Sequence, residues 1–234
     1  MAITLNNGIK MPTIGLGVWR MEGKSIKEVI LNDIRIGYRH FDCAAKYQNE
    51  AEVGEALAEA IQTGIVKRED LFITTKLWNS DHGHVLEACE DSLKKLQLEY
   101  LDLYLVHFPI ASKFTGIGKT SSVKDENGDL DIDTTISLET TWHAMEGPVS
   151  MGLVRSIGRL AENHNKTVAQ IILRWGIQRN TVVIPKSSKL ERLKENFHVF
   201  DFELTLKDMV SIRTVDQRLR SNQPGTGWGI DVYP

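Results

Sequence analysis

The sequence of 234 residues is poor in cysteine and has no excess of positive charge. Its two cysteines, Cys43 and Cys89, are too few for a disulfide framework or a four-thiolate zinc site, and they suit a reducing compartment. Lys and Arg number 28 against 31 Asp and Glu, so the formal net charge is -3 and the overall basic character that holds polyanionic nucleic acid is missing. We therefore expect a small-molecule partner and no nucleic acid.

Long apolar runs and a secretory leader are also missing. No apolar run approaches the roughly 18 residues that a membrane-spanning helix needs. The N-terminus shows no basic stretch followed by an apolar one. We expect a cytosolic protein, a monomer or a homodimer, that makes no use of a membrane.

Two further absences concern the chemistry. No Gly-x-Gly-x-x-Gly follows an apolar run, so a doubly wound dinucleotide-binding fold loses its main support. The seven histidines show no metal-ligand spacing, and no Ser or Cys nucleophile motif is present. We expect no metal site.

What the sequence does contain is an alternation of short apolar runs with segments of helical period. The runs lie at 13–18, 38–42, 70–76, 101–107, 153–158 and 181–186. The helical patterns lie at about 24–36, 49–63, 83–97, 137–151, 159–179 and 189–197. This alternation is typical of βαβ units around a parallel sheet, and we predict one α/β barrel domain over 1–234. Asn7-Gly8 predicts a tight primed turn in an N-terminal β-hairpin that caps the sheet.

Four polar residues fall at or just beyond the ends of these runs, where a barrel gathers its chemistry. Asp42, Lys76 and His107 end the second, third and fourth runs, and Tyr47 lies five residues after Asp42. Each has a structural interpretation too: a backbone cap, a lysine reaching solvent, a satisfied core histidine and a packing tyrosine. Together they are more telling, because a lysine and a histidine closing apolar strands are costly to bury unless paired, and Asp42 is a plausible partner for Lys76.

Such a set suits proton transfer to a carbonyl oxygen. An ammonium beside Tyr47 would favour its ionised form and make it a better proton donor near neutrality. His107 could hydrogen-bond the same oxygen and orient the substrate. Reduction of a carbonyl also needs a hydride, which side chains cannot supply, so a nicotinamide cofactor is implied.

The stretch IPKSSKLERLKENF, residues 184–197, is the candidate anchor for that cofactor. Lys186, Ser187 and Ser188 follow the last run, and Arg192 and Asn196 lie four residues apart on one face of the next helix. Such a cluster at a helix N-terminus suits an anion, here the extra phosphate of NADP. The alternative is a solvated basic helix face.

Aromatic residues beside the strand ends could line a substrate pocket or belong to the core. They are Trp19, Trp78 and Phe108, and two of them adjoin Lys76 and His107. Residues 108–136, the longest stretch without periodicity, are called the long segment below; a loop of that size is usually functional or mobile.

Several stretches together resemble the aldo-keto reductases, in order and with family-like spacing up to Gly158. They are GLGVWR, GYRHFDCAAKYQNEAEVGEAL, REDLFITTKLWNSDHG, YLDLYLVHFP, GLVRSIG, TVVIPKSS and ERLKENF. Within the family the chain looks most like the plant NADP-dependent aldose-6-phosphate reductases. The resemblance implies a (β/α)8 TIM-type barrel and a catalytic tetrad of Asp42, Tyr47, Lys76 and His107, with Tyr47 as the proton donor.

The resemblance also implies ligand contacts. It makes Lys186, Ser187, Ser188, Arg192 and Asn196 contacts to the adenosine end of NADPH, and Trp19, Trp78 and Phe108 substrate-pocket residues. Lys46 and Arg20 are our own hypotheses for a sugar phosphate.

Two departures from the family pattern matter. The plant subgroup typically carries a basic residue between NQP and WGID, whereas the tail here reads NQPGTGWGID, so the resemblance implies the loss of a phosphate contact. The larger departure lies between Gly158 and Arg159, where family members continue into a Ser-Asn pair that holds the nicotinamide carboxamide and then into two further βα units. We therefore expect an incomplete barrel of about six of eight units, because six strands cannot reproduce the geometry of eight unchanged.

Two functions remain open from the sequence. The first is NADPH-dependent reduction of an aldehyde sugar, a hexose 6-phosphate such as mannose 6-phosphate or glucose 6-phosphate, to the alditol phosphate. The second is a catalytically impaired isoform that keeps the tetrad but lacks the nicotinamide-binding half of the site.

Overall fold

A computed structural model describes residues 2–5, 7–23, 25–159 and 176–184, together with Leu193, Phe197, Val199 and Phe200. The chain divides into two compact units. The first comprises Met1–Asp42, Ala56–Phe72 and His164–Ser221, and the second Cys43–Glu55, Ile73–Asn163 and Asn222–Pro234. A single domain over 1–234 stays a prediction.

The chain begins with the predicted hairpin, although its turn differs from the predicted one. Strands β1 (Ala2–Thr4) and β2 (Lys10–Pro12) pair antiparallel. The Leu5 N–H donates to the Ile9 carbonyl (2.8 Å), and the Gly8 N–H donates to the Leu5 carbonyl (2.9 Å). Three residues thus separate Leu5 from Ile9, and a loop of this length places a left-handed glycine last, as Gly8 is with φ of 84°. The predicted two-residue primed turn is wrong.

The first unit contains β3 (Leu16–Gly17), α1 (Ser25–Ile36) and β4 (His40–Asp42). β3 and β4 are parallel, with Gly17 opposite Asp42. The sixth apolar run meets the first through a parallel bridge between Val183 and Ile14. Gly15 leaves room for this approach, since a Cβ there would lie 2.7 Å from the His40 ring and 3.0 Å from Ile184.

The second half of the sheet is built from buried parallel strands. After α2 (Glu50–Gln62) come β5 (Phe72–Leu77), α3 (Val85–Leu96), β6 (Leu103–Val106), α4 (Leu138–Ser150) and β7 (Ile157–Arg159). Every residue of β5 and β6 is buried, as strands covered on both faces require. β5, β6 and β7 are parallel neighbours, and together with β3 and β4 they confirm the first five predicted strands.

The predicted helices at 24–36, 49–63, 83–97 and 137–151 correspond to α1 to α4. The start of α4 has a local cause, because the Ser137 hydroxyl caps it by accepting from the Thr140 N–H at 3.0 Å. α4 also contains Pro148 in its last turn, where the proline ring has no backbone N–H to donate to the preceding turn.

At the junction the prediction of a helix beginning at residue 159 is wrong, because Arg159 ends β7. Its backbone lies opposite Val106, and Gly158 lies opposite Leu105. The rest of the predicted helix over 159–179 lies outside the described residues up to 175, and residues 176–178 are helical. Most of the predicted helix at 189–197 also lies outside them.

A buried acid in α1 was not anticipated from the sequence. Asp33 is fully buried, and neither of its carboxylate oxygens has a hydrogen-bond partner among the described residues. Burial raises the pKa of Asp33 from 3.8 to about 8. Nearby Tyr38, whose hydroxyl donates to the Leu193 carbonyl at 3.3 Å, has its pKa raised by burial and by Asp33.

We predict that Asp33→Asn stabilises the protein at neutral and alkaline pH. Because the folded pKa of Asp33 exceeds its unfolded value, the parent's stability from this group is complete below pH 3.8 and is lost as pH rises through about 8. The variant's advantage in free energy of unfolding should grow by up to about 1.4 kcal/mol per pH unit in that window. Urea unfolding at several pH values measures it.

The exposed Asp70 provides the matched control, since Asp70→Asn removes a carboxylate without relieving a buried one. If parent and Asp33→Asn show parallel pH dependence, the carboxylate of Asp33 is ionised in the folded protein at no cost and the interpretation is wrong.

Candidate active site

The site is organised around a buried lysine. Lys76 lies within β5 and is 1% exposed. Its ammonium donates to the Cys43 carbonyl at 2.7 Å and to the Tyr47 hydroxyl at 3.0 Å. A buried charge needs such partners in place of water. Lys76 and Tyr47, predicted independently from their positions at strand ends, are therefore brought into contact.

Tyr47 is carried by a short turn that follows β4. Residues 45–48, called the Tyr47 turn, contain a 3-10 helix over Ala45–Tyr47. The Tyr47 N–H donates to the Ala44 carbonyl at 3.0 Å, and the turn ends at Gln48, whose φ of 58° is left-handed. Tyr47 is half-buried, and its hydroxyl accepts from the Lys76 ammonium.

His107 comes directly after β6 and stands among aromatic rings. Its ring meets Tyr47 edge-on at 5.9 Å and Trp78 at 5.4 Å, and stacks on Phe108 at 4.8 Å. Burial, with smaller contributions from the Lys76 and Lys46 charges, lowers the pKa of His107 to about 3. The imidazole is therefore neutral near neutrality, where it can share a hydrogen bond but carries no acidic proton to transfer.

Asp42, the fourth residue of the predicted tetrad, closes β4 in the first unit. It is half-buried, and its backbone carbonyl accepts from the Val18 N–H at 3.2 Å. The pairing of its carboxylate with Lys76 stays a prediction.

The predicted pocket aromatics fall into two groups. Trp78 and Phe108 are buried in the second unit, edge to face at 5.9 Å, and both contact His107. Trp19 lies in the first unit, 42% exposed, with the Arg20 guanidinium 4.3 Å from its ring centroid. Arg20 has a left-handed φ of 58°.

Lys46 carries a fixed positive charge at the edge of this aromatic group. Its ammonium lies 4.6 Å from the centroid of the Trp78 ring and donates to the Thr120 carbonyl at 2.6 Å. Burial lowers the pKa of Lys46. An ammonium has three protons to donate, so a ligand anion could accept a further one.

Two contributors escaped the sequence analysis. Glu50 begins α2 and accepts hydrogen bonds from the Thr75 hydroxyl (2.5 Å) and the Ser92 hydroxyl (3.2 Å), while burial raises its pKa. Through Thr75, the residue before Lys76, it links the start of α2 to β5. Thr120 is the other, since it accepts from both Lys46 and Gln48. The aperiodic long segment pointed to its region but not to the residue.

The predicted cofactor anchor cannot be placed in the same way. Its residues lie outside the described part of the chain: Lys186, Ser187, Ser188, Arg192 and Asn196. They stay predictions.

Among the described residues no group of three or more His, Cys, Asp or Glu could hold a metal ion. None of the helices described is long and apolar enough to cross a membrane.

Comparisons with known proteins agree with the resemblance. The Aldo/keto reductase family matches residues 13–159 and again 159–217. The chain is 47% identical to the NADP-dependent D-sorbitol-6-phosphate dehydrogenase of Malus domestica, over 99% of each chain. It is 35% identical to the NADPH-dependent D-xylose reductase of Candida boidinii, over 98% of this chain and 97% of that protein.

A solved structure agrees on the fold. The aldose reductase from Schistosoma japonicum superposes with a TM-score of 0.88 at 33% identity, covering 100% of this chain and 98% of that one. The predicted α/β fold of the (β/α)8 TIM-type barrel family, in incomplete form, is thereby confirmed.

The same comparisons measure what the chain lacks relative to its relatives. The alignment with the Malus domestica protein spans 306 positions and this chain has 234 residues, so at least 72 residues of that relative have no counterpart here. The family match itself breaks at Arg159.

We predict that His107 stays uncharged from about pH 8 to about pH 5, because its pKa is about 3. The Lys46→Met variant should raise that pKa, since it removes one of the two cations that oppose protonation. NMR of the Cε1–H signal in protein with labelled histidine measures both, with the signal assigned through His107→Gln.

Lys94→Met, at an exposed position on α3, serves as the control and should leave the signal unchanged. A parent signal that titrates between about pH 6 and 7, the ordinary range of histidine, would contradict the assignment of a neutral ring.

Proposed function

Because the chain belongs to the aldo/keto reductase family, we propose that it is an NADP-dependent oxidoreductase that reduces the aldehyde of a hexose 6-phosphate to the alditol phosphate. Mannose 6-phosphate and glucose 6-phosphate are the candidate substrates. The observation that carries the proposal is the Tyr47 hydroxyl, 3.0 Å from the buried ammonium of Lys76 and beside the neutral ring of His107.

In the proposed reaction the Tyr47 hydroxyl gives its proton to the carbonyl oxygen. The Lys76 ammonium stabilises the phenolate that remains, and Asp42 stabilises the ammonium. Because its pKa is lowered, His107 is a neutral imidazole at neutral pH. Its N–H donates a hydrogen bond to the same oxygen and orients the substrate.

These proton and hydrogen-bond donors, Tyr47 and His107, fit a carbonyl that accepts a hydride. When the hydride reduces the carbon, a proton must reach the oxygen. NADPH, when bound, supplies the hydride. We assign its adenosine end to Lys186, Ser187, Ser188, Arg192 and Asn196.

The substrate end is assigned to the aromatic residues and to two cations. Trp78 and Phe108 form an apolar wall beside His107, and Lys46 offers a fixed charge at its edge. We also assign Trp19 and Arg20 to substrate contacts, as the sequence predicts. The phosphate is supported by Lys46 and by the name of the Malus domestica relative, a D-sorbitol-6-phosphate dehydrogenase, whereas the Candida boidinii relative is named for an unphosphorylated sugar.

A second candidate function rests on the break at Arg159. We infer that a segment is absent between Gly158 and Arg159, at the point where the family match divides. The absent residues include those that hold the nicotinamide in the pattern the chain resembles. The alternative is therefore a catalytically impaired isoform that retains the proton-donating group but binds the nicotinamide poorly.

An assay of two proteins separates these functions. The 234-residue chain and a version with the absent segment restored are each supplied with NADPH and mannose 6-phosphate, glucose 6-phosphate or the unphosphorylated sugars. Turnover by both supports the reductase, while turnover by the restored version alone supports the impaired isoform. Equal rates with and without phosphate would remove the hexose 6-phosphate from the proposal.

Tyr47→Phe should lower the rate of whichever version turns over by about 100- to 10,000-fold, the usual contribution of a general acid. Tyr100→Phe is the matched control. It removes the same hydroxyl from a tyrosine before β6, at the end of the strand opposite to His107 and the site. If Tyr47→Phe keeps the parent rate, the proton donor has been assigned wrongly. Circular dichroism confirms that each variant keeps its fold.

The cofactor assignment is tested by direct binding, which does not require turnover. Replacing both Lys186 and Arg192 with Ala should weaken NADPH binding about ten-fold or more, through loss of charge-assisted contacts to the phosphate, and should leave NADH binding nearly unchanged. Fluorescence titration measures both constants. Lys194→Ala, on the same basic stretch, is the control; an equal loss there would favour a merely solvated basic face.

A further inference from the structure

One residue of the long segment, Thr120, is hydrogen-bonded to both sequence neighbours of the candidate proton donor. Thr120 is 2% exposed, although it lies in a stretch without regular structure. Its carbonyl accepts from the Lys46 ammonium at 2.6 Å, and its hydroxyl accepts from the Gln48 side-chain amide at 3.0 Å. Lys46 and Gln48 are the two neighbours of Tyr47 in sequence.

The surroundings of Thr120 are ordered by further contacts. The Lys119 N–H donates to the Gly116 carbonyl at 3.0 Å, and the Thr115 hydroxyl donates to the Lys119 carbonyl at 2.8 Å. Gly118 lies against α3, where an added Cβ would be 3.2 Å from both Asp91 and Lys95. Residues 115–120 are thus a folded portion of the long segment, resting on α3 and on the Tyr47 turn.

The two hydrogen bonds to Thr120 take the place of hydrogen bonds to water for the Lys46 ammonium and the Gln48 amide. The Lys46 ammonium is partly withdrawn from water, and the Thr120 carbonyl is its acceptor. Gln48 adopts a left-handed backbone that side-chain-bearing residues rarely take, and its amide is fixed by the Thr120 hydroxyl.

We infer that Thr120 is a positioning residue, which clamps residues 115–120 onto the Tyr47 turn and sets the place of Tyr47 and of the Lys46 charge. Its importance for catalysis rests on the proposed function, whereas the clamp itself does not. Opening of the clamp would release both neighbours of Tyr47 at once.

Limited trypsin digestion reads the clamp directly, because the bond between Lys119 and Thr120 lies inside it. When opening is fast, the rate of cleavage follows the population of the open state. Loss of one neutral hydrogen bond should raise that population about five-fold. Thr120→Val and Gln48→Met remove the same bond from opposite sides, and the second leaves the cleavage site unaltered.

Both variants should be cut after Lys119 about five-fold faster than the parent, and the double variant no faster than either single one. Thr120→Ser, which keeps the hydroxyl, should restore the parent rate. Thr135→Val removes an exposed hydroxyl bonded to Asp133 in the same long segment and should have no effect after Lys119. Cleavage after Lys124 in each digest controls for general loosening.

Unchanged cleavage in Gln48→Met, or additive effects in the double variant, would overturn the clamp. A Thr120→Ser variant as susceptible as Thr120→Val would do the same. None of these readouts depends on turnover, so an inactive chain would contradict the proposed function while leaving the clamp to be judged on its own result.

Discussion

The Lys76 ammonium, buried within β5, is the constraint around which the site is built. Its bonds to the Cys43 carbonyl and the Tyr47 hydroxyl require the chain after β4 to bring a backbone oxygen and a phenol to one point. The 3-10 turn over Ala45–Tyr47 achieves this within the five residues from Cys43 to Tyr47. Glu50, two residues after Gln48, accepts a hydrogen bond from the hydroxyl of Thr75, the strand residue before Lys76. The same short stretch therefore satisfies the buried charge and presents the phenol.

The two cations, buried Lys76 and half-buried Lys46, also divide the proposed roles between the polar groups. His107 is crowded by rings and lies near Lys76 and Lys46, so both burial and charge oppose its protonation. A histidine in this state orients an oxygen better than it protonates one. In the proposed role of proton donor, a phenol gains from the same surroundings, because a neighbouring cation favours the phenolate that proton transfer leaves. One electrostatic environment thus favours the tyrosine as acid and the histidine as a neutral donor.

The sequence was informative where local pattern decides the outcome. Apolar period located the strands, and Lys76 and His107 stood out because they are polar residues ending apolar runs. The contact of Lys46 with Thr120 joins residues 74 positions apart, a distance that no local period encodes. Asp33 was missed because an acid on a helix usually faces water, and its burial depends on what packs over α1. The helix predicted from Arg159 failed for a similar reason, since pairing with β6 overrides side-chain preference.

The junction shows what a strand ladder does and does not require. β7 pairs with β6 through backbone groups, so residue 159 can complete the ladder opposite Val106 whatever its side chain. Strand continuity consequently cannot test the inference that a segment is absent between Gly158 and Arg159. All four residues of the proposed proton-transfer group precede this point, and the proposed cofactor anchor follows it. On the second proposal, the chemistry of the first part could therefore persist locally while binding of the nicotinamide would depend on residues of the segment inferred to be absent.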